Sequence, residues 1–102
     1  MIVSEPLSRD NFAAHLHSVF CIQDAQGEAR EIELIELRDG RASARQEQFA
    51  LTFRGPRDRF LGQGMFPVEH PVLGRFDLFL VPVGQETEAF LYEAVFNRLR
   101  PE

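Results

Sequence analysis

The stretch Arg75-Phe76-Asp77-Leu78-Phe79-Leu80-Val81-Pro82-Val83 decides how this chain must fold. Its side chains alternate as those of a β-strand do, with Phe76, Leu78 and Leu80 on one face and Phe79, Val81 and Val83 on the other. A strand with one wet face keeps that face polar. Here both faces are apolar over the second half. The last patterned segment behaves alike: Phe90, Tyr92, Ala94 and Phe96 share one side, and Leu91 and Val95 lie opposite. One face builds a core, and something must cover the other. A short N-terminal helix could do so through Phe12 and Leu16; so could a partner or a second copy of the chain.

Outward from this stretch, the chain reads as short strands and turns. Ser18-Val19-Phe20-Cys21-Ile22-Gln23 is rich in β-branched and aromatic residues, and Asp24-Ala25-Gln26-Gly27 has the composition of a hairpin turn. Within Glu28 to Asp39, Glu31-Ile32-Glu33-Leu34 alternates, and Ile35-Glu36-Leu37-Arg38 alternates again in opposite phase. One extra residue, a β-bulge near Leu34 and Ile35, resets such a phase. A helix competes, because Ala, Glu, Leu and Arg favour one; flanking turn residues favour the strand. Phe49, Leu51 and Phe53 form a half-buried strand that Gly55-Pro56 should break, and Pro71-Val72-Leu73-Gly74 turns the chain between two more.

The expected fold class is therefore mainly β: a six-stranded antiparallel meander forming a small barrel or roll. Strands are expected over about 18–23, 28–38, 47–54, 65–70, 75–83 and 90–97, after one short N-terminal helix over about 8–16, all in one domain spanning 1–102. Ser8 is placed to cap that helix and Asp10 to suit its positive end, with Phe12 and Leu16 four residues apart on one face.

Composition bounds the function. With 44% apolar residues in 102, the chain can build one core. Its net charge of −5 runs against general nucleic-acid binding, where affinity comes from neutralising phosphates. All 11 basic residues are Arg, a side chain that forks onto carboxylates and stacks on rings. Cys21 is the single cysteine, which precludes an internal disulfide, and its apolar flanks suggest an inert buried thiol. Met1-Ile2-Val3-Ser4-Glu5-Pro6 has no signal-peptide pattern, and the apolar run Leu78 to Val83 is too short to span a bilayer. A cytoplasmic protein without membrane contact is expected.

Candidate chemistry is sparse. His15, His17 and His70 could hold a metal only if three imidazoles converged, without Cys support; backbone hydrogen bonding at the domain edge is the plainer role. Arg38, Arg41 and Arg45 bracket one loop. Arg54, Arg57 and Arg59 belong to the next and are candidates for gripping a small anion in a bidentate way. Glu31, Glu33 and Glu36 read as the wet face of one strand. No serine stands in a Gly-x-Ser-x-Gly elbow, and Gly62-x-Gly64 precedes a strand instead of the helix that a phosphate cradle needs. No catalytic residue and no cofactor is expected. A hollow small-ligand carrier is disfavoured, because ten Phe side chains would fill a six-stranded barrel.

From about Phe12 to Asn97 the chain resembles a family of small bacterial all-β domains of unknown function. The resemblance is carried by Asn11-Phe12-Ala13-Ala14-His15-Leu16, Phe53-Arg54-Gly55-Pro56 and Val68-Glu69-His70-Pro71-Val72-Leu73-Gly74. Leu78-Phe79-Leu80-Val81-Pro82-Val83-Gly84 and Tyr92-Glu93-Ala94-Val95-Phe96-Asn97 complete it. It implies an all-β domain without assigned catalytic residues, and an association with fibre proteins that carry a phage-tail-collar domain. The expected function is a non-catalytic protein-interaction or assembly module, an accessory of a tail-fibre-like or filament apparatus. It would dock a protein partner or a second copy through Phe79, Val81, Val83, Leu91 and Val95. A metal-dependent enzyme and a small-anion-binding domain are the alternatives.

Overall fold

The computed structural model describes residues 8–40 and 46–99, the side chains of Gln46, Arg98 and Leu99 apart; Arg41, Arg45 and the segment Met1 to Pro6 lie outside the described residues. One short helix, α1 (Arg9–Ala13), precedes six strands: β1 (Val19–Gln23), β2 (Ala29–Asp39), β3 (Gln46–Pro56), β4 (Gly64–His70), β5 (Gly74–Glu86) and β6 (Ala89–Leu99). Every pairing is antiparallel, and the sheet closes into a barrel in the order β1-β2-β3-β6-β5-β4. Two three-stranded meanders, β1–β2–β3 and β4–β5–β6, thus meet along the β3–β6 and β1–β4 seams.

Local chemistry explains the elements. β2 is a strand, paired with β1 on one side and β3 on the other, and its register slips between Leu34 and Glu36. The bulge stands where the hydrophobic phase reverses, so Ile32, Leu34 and Leu37 all reach the core. A second slip, between Pro82 and Gly84, lies in the β5–β6 ladder. In the β1–β2 hairpin Gly27 adopts φ +82°, which L side chains rarely do. Asp24 Oδ1 there accepts the N–H groups of Gln26 and Glu28, each at 2.9 Å.

α1 is shorter than the expected 8–16 and has a different task. Ser8 and Asn11 form a reciprocal cap, with Asn11 N–H donating to Ser8 Oγ at 3.2 Å and Ser8 N–H donating to Asn11 Oδ1 at 2.8 Å. The helix ends after Ala13 because the chain must turn into β1. His17 takes φ +72°, and its N–H bonds to Leu34 O at 2.6 Å. Leu16 therefore leaves the Phe12 face and is 40% exposed. The helix does not cover the second face of β5 and β6. It plugs one end of the barrel with Phe12, which is fully buried among Phe20, Phe49, Phe76 and Phe96 at ring separations of 5.4–6.4 Å.

The opposite end is closed by the β3–β4 connection. Leu61 tucks under Tyr92, whose hydroxyl oxygen accepts the Leu61 N–H at 2.9 Å, and Phe60 meets Phe90 edge to face at 5.0 Å. Gly55-Pro56 does not break β3. The strand runs through both, pairing Gly55 with Phe90 and Pro56 with Ala89. Glycine is required because a Cβ at position 55 would lie 2.9 Å from Tyr92 Cε2 and 3.4 Å from Ile32 Cγ2. We expect Gly55→Ala to cost about 1–3 kcal/mol through overpacking. Urea unfolding should show a lower midpoint with an unchanged slope, and an unaltered midpoint would mean that the ring yields freely. Of the ten phenylalanines, Phe12, Phe20, Phe49, Phe53 and Phe66 are buried and Phe76, Phe90 and Phe96 pack against them. The barrel is a filled core, and only Phe60 and Phe79 face outward.

Candidate functional site

The outer surface of β4, β5 and β6 collects exposed apolar side chains. Met65 is 63% exposed, Phe79 47%, Val83 53% and Val95 66%, while Val81 and Leu91 are half-buried between them. The ladders bring them together. Met65 pairs directly with Phe79 across β4–β5. On β5–β6 the last pair is Val81 with Glu93; Phe79 and Val95 each lie two residues past it in the same direction. Val95 pairs with Ala50 on β3, and Ala50 with Arg38 on β2. Of the five residues expected to form this face, Val81 and Leu91 thus flank the end of this ladder, Phe79 and Val95 lie beyond it, and Val83 stands in the bulge before Gly84. Met65 joins them although the sequence pattern did not mark it, standing alone between Gly64 and Phe66.

One ion pair stands within this face, beside Val81, and two border it. Arg38 reaches Glu93 at 2.9 Å, Arg54 lies 3.1 Å from Glu86, and Arg75 reaches Glu69 at 2.7 Å. Beside Val95 and Ala50 lies an open hollow of about 290 Å³, with Arg38, Gln48 and Glu93 on its walls.

The histidines take structural positions. His70 is buried, and its Nδ1 accepts the N–H groups of Val72 at 3.1 Å and Leu73 at 3.2 Å. Ser18 Oγ donates to His15 O at 2.7 Å and so is left to accept the Nε2–H of His70 at 3.1 Å. Both ring nitrogens are committed, and neither offers a metal a lone pair in this arrangement. Burial, reinforced by the His15 ring at 4.7 Å, holds His70 below the usual imidazole range. His17 is exposed, with Nδ1 3.9 Å from Glu33. Among the described residues, no group of three His, Cys, Asp or Glu is placed to hold an ion.

The loop arginines also have partners. Besides its contact with Glu86, Arg54 lies one strand from Leu91. Arg57 donates to Gln85 Oε1 at 2.6 Å and sits 4.8 Å over the Phe90 ring. Arg59 Nε donates to Asp24 Oδ2 at 3.1 Å and its NH2 to Gln26 Oε1 at 2.6 Å. Asp24 is the hub that sequence reasoning missed. Its buried carboxylate also takes Arg30 Nε at 3.3 Å. The Glu28 N–H above all, then Arg30 and Arg59, hold its carboxyl down to about 2 against the opposing effect of burial. The Asp-x-x-Gly turn advertises the backbone half of this cluster, but Arg59 arrives from a distant loop. Cys21 is exposed, contrary to expectation: its flanks Phe20 and Ile22 alternate inward, which turns the thiol out.

The geometry defines a small closed antiparallel barrel, plugged at one end by a helix and bearing one oily outer face. The chain belongs to the DUF6916 family, a domain of unknown function, which it matches over residues 7–96. No curated protein and no solved structure matches it. No helix among the described residues is long and apolar enough to cross a membrane.

Proposed function

We propose that this domain is a non-catalytic interaction or assembly module that docks a protein through the outer face of β4, β5 and β6. The observation that carries this reading is the exposure of Phe79, Val83 and Val95 together on one face, after the helix that could have covered them proves to plug the barrel end. Exposed apolar side chains gathered on one sheet face, with ion pairs among and around them, have the anatomy of an interface. The assembly is a tail-fibre-like or filament apparatus, a partner class that rests on the family resemblance alone. The protein acts in the cytoplasm in this reading.

Phe79→Asp and Val95→Asp test the proposal. Each places a carboxylate on an outward position, so each should fold and melt like the parent, with a stability change under about 1 kcal/mol. Each should also abolish association, followed by light scattering and circular dichroism on the same samples. A loss of more than about 2 kcal/mol in either variant would make this face part of the core and end the docking reading.

A further inference from the structure

We infer that the fork between β5 and β6 is a slot for one extended segment of a partner protein. The segment adds to the open edge of β5 as a further strand and sets a basic side chain against Asp77. This rests on the docking reading and adds how the partner binds and what its chemistry is. β4 occupies one side of β5 from Gly74 to Leu80. On the other side the β5–β6 ladder begins only at Val81, paired with Glu93, while β6 runs on beside β3. Among the described residues no strand pairs with β5 on that side between Gly74 and Leu80. Every second residue of an antiparallel strand turns its N–H and C=O away from a given neighbour, so one such set on β5 faces the fork. Phe12 bridges the gap from inside, 5.9 Å from Phe76 and 5.4 Å from Phe96, but a ring brings no backbone donor or acceptor. Strand addition uses open edges of this kind.

The walls of the fork set the chemistry of what enters. Carried past Val81 and Glu93, the same register sets Phe79 toward Val95 and Asp77 toward Asn97. On its outer side the slot is therefore apolar near its closed end and carries a carboxylate two residues further out. Asp77 is exposed, and among the described residues no arginine or histidine pairs with it, whereas Glu69, Glu86 and Glu93 each have an arginine. An incoming strand with an apolar side chain and, two residues along, a lysine or arginine matches both features. The inward side chain between them must be small, because Phe12, Phe76 and Phe96 fill that side. A folded second copy does not fit. Its own β5 edge lies within its own fork, and a gap between two strands admits a single extended chain.

Hydrogen exchange of the full chain, followed residue by residue by NMR, tests the open edge first. Between Arg75 and Leu80 slow and fast amides should alternate, the slow set being the one bonded to β4. Uniform protection would mean that the fork is closed, and overturns the inference. Synthetic peptides of roughly nine residues, long enough to span this edge, then probe the slot. They alternate valine and serine and carry lysine, glutamate or threonine in place of the central valine. The lysine peptide should slow the fast amides and bind about three-fold or more tighter than the glutamate peptide. Asp77→Asn should erase that preference. N-methylation of one alternating set of peptide nitrogens removes donors and spares side chains, and it should weaken binding about ten-fold or more. A lysine peptide that leaves the fast amides unprotected overturns strand addition but leaves docking on the outer face standing, provided Phe79→Asp still folds. Binding that survives methylation of either set overturns strand addition in the same way. Unfolding of Phe79→Asp overturns both.

Discussion

Phe12→Ala is expected to lose about 3–5 kcal/mol of stability, the range for deleting a fully buried phenylalanine. Phe12 is the one core side chain that α1 contributes, and four rings from β1, β3, β5 and β6 converge on it. The β5–β6 ladder reaches only to Val81 and Glu93, so at this end the two strands do not pair and Phe12 bridges between Phe76 and Phe96. Relaxation into the void is restricted because the helix is pinned independently. Arg9 grips Asp39 through Nε and NH2 at 2.7 and 3.1 Å, and Ser8 and Asn11 hold the cap. A small domain holds about 5–15 kcal/mol in all, so this one change should consume a large share. Urea unfolding measures it. Phe12→Leu should recover most of the loss if the site needs apolar volume, and a cost below about 1 kcal/mol for the alanine would show that the plug is dispensable.

The elements that sequence reading located share one property: their evidence is local. The bulge in β2 shows as a phase reversal within eight consecutive residues, and the β1–β2 turn as Asp24 and Gly27 in their preferred places. The doubly apolar pattern of Phe76 to Val83 told which face would be left over. What it could not tell was where α1 would go. That depends on His17 accepting a left-handed backbone and bonding Leu34, a residue on a strand not yet formed when one reads residues 8–17. Gly55-Pro56 misled for a related reason. As a dipeptide it punctuates, but in the barrel Gly55 makes room for the Tyr92 ring, and Pro56 ends the strand without owing a central ladder bond. Cys21 and Met65 were likewise placed by alternation within strands whose partners only the closed ring supplies. The arginines were legible as a cluster in sequence, and their separate assignments to Asp24, Gln85 and Glu86 were not.

The second large effect should come from His70→Leu, which removes both nitrogens from a buried site and leaves the Ser18 hydroxyl and the Val72 and Leu73 N–H groups without their partner. At about 1–3 kcal/mol for each buried group left unsatisfied, and with water reaching part of the exposed turn, the expected cost is about 2–4 kcal/mol. The same geometry sets an acid response. Protonating Nδ1 would cancel both backbone bonds and set a charge beside His15 and the Phe20 ring. The folded state therefore binds this proton less readily than the unfolded chain, whose imidazole titrates near 6.5. Stability is full above that value and falls as the pH drops below it. Asp24 acts later and in its own window: its carboxyl, lowered from 3.8 to about 2, keeps stabilising the hairpin until the pH falls through that interval. Unfolding free energies measured from neutral pH down should thus decline first below about pH 6.5. In His70→Leu that first decline should vanish while the later one remains. If the variant keeps the same slope below neutrality, the latch between the β4–β5 turn and Ser18 is not what the proton breaks.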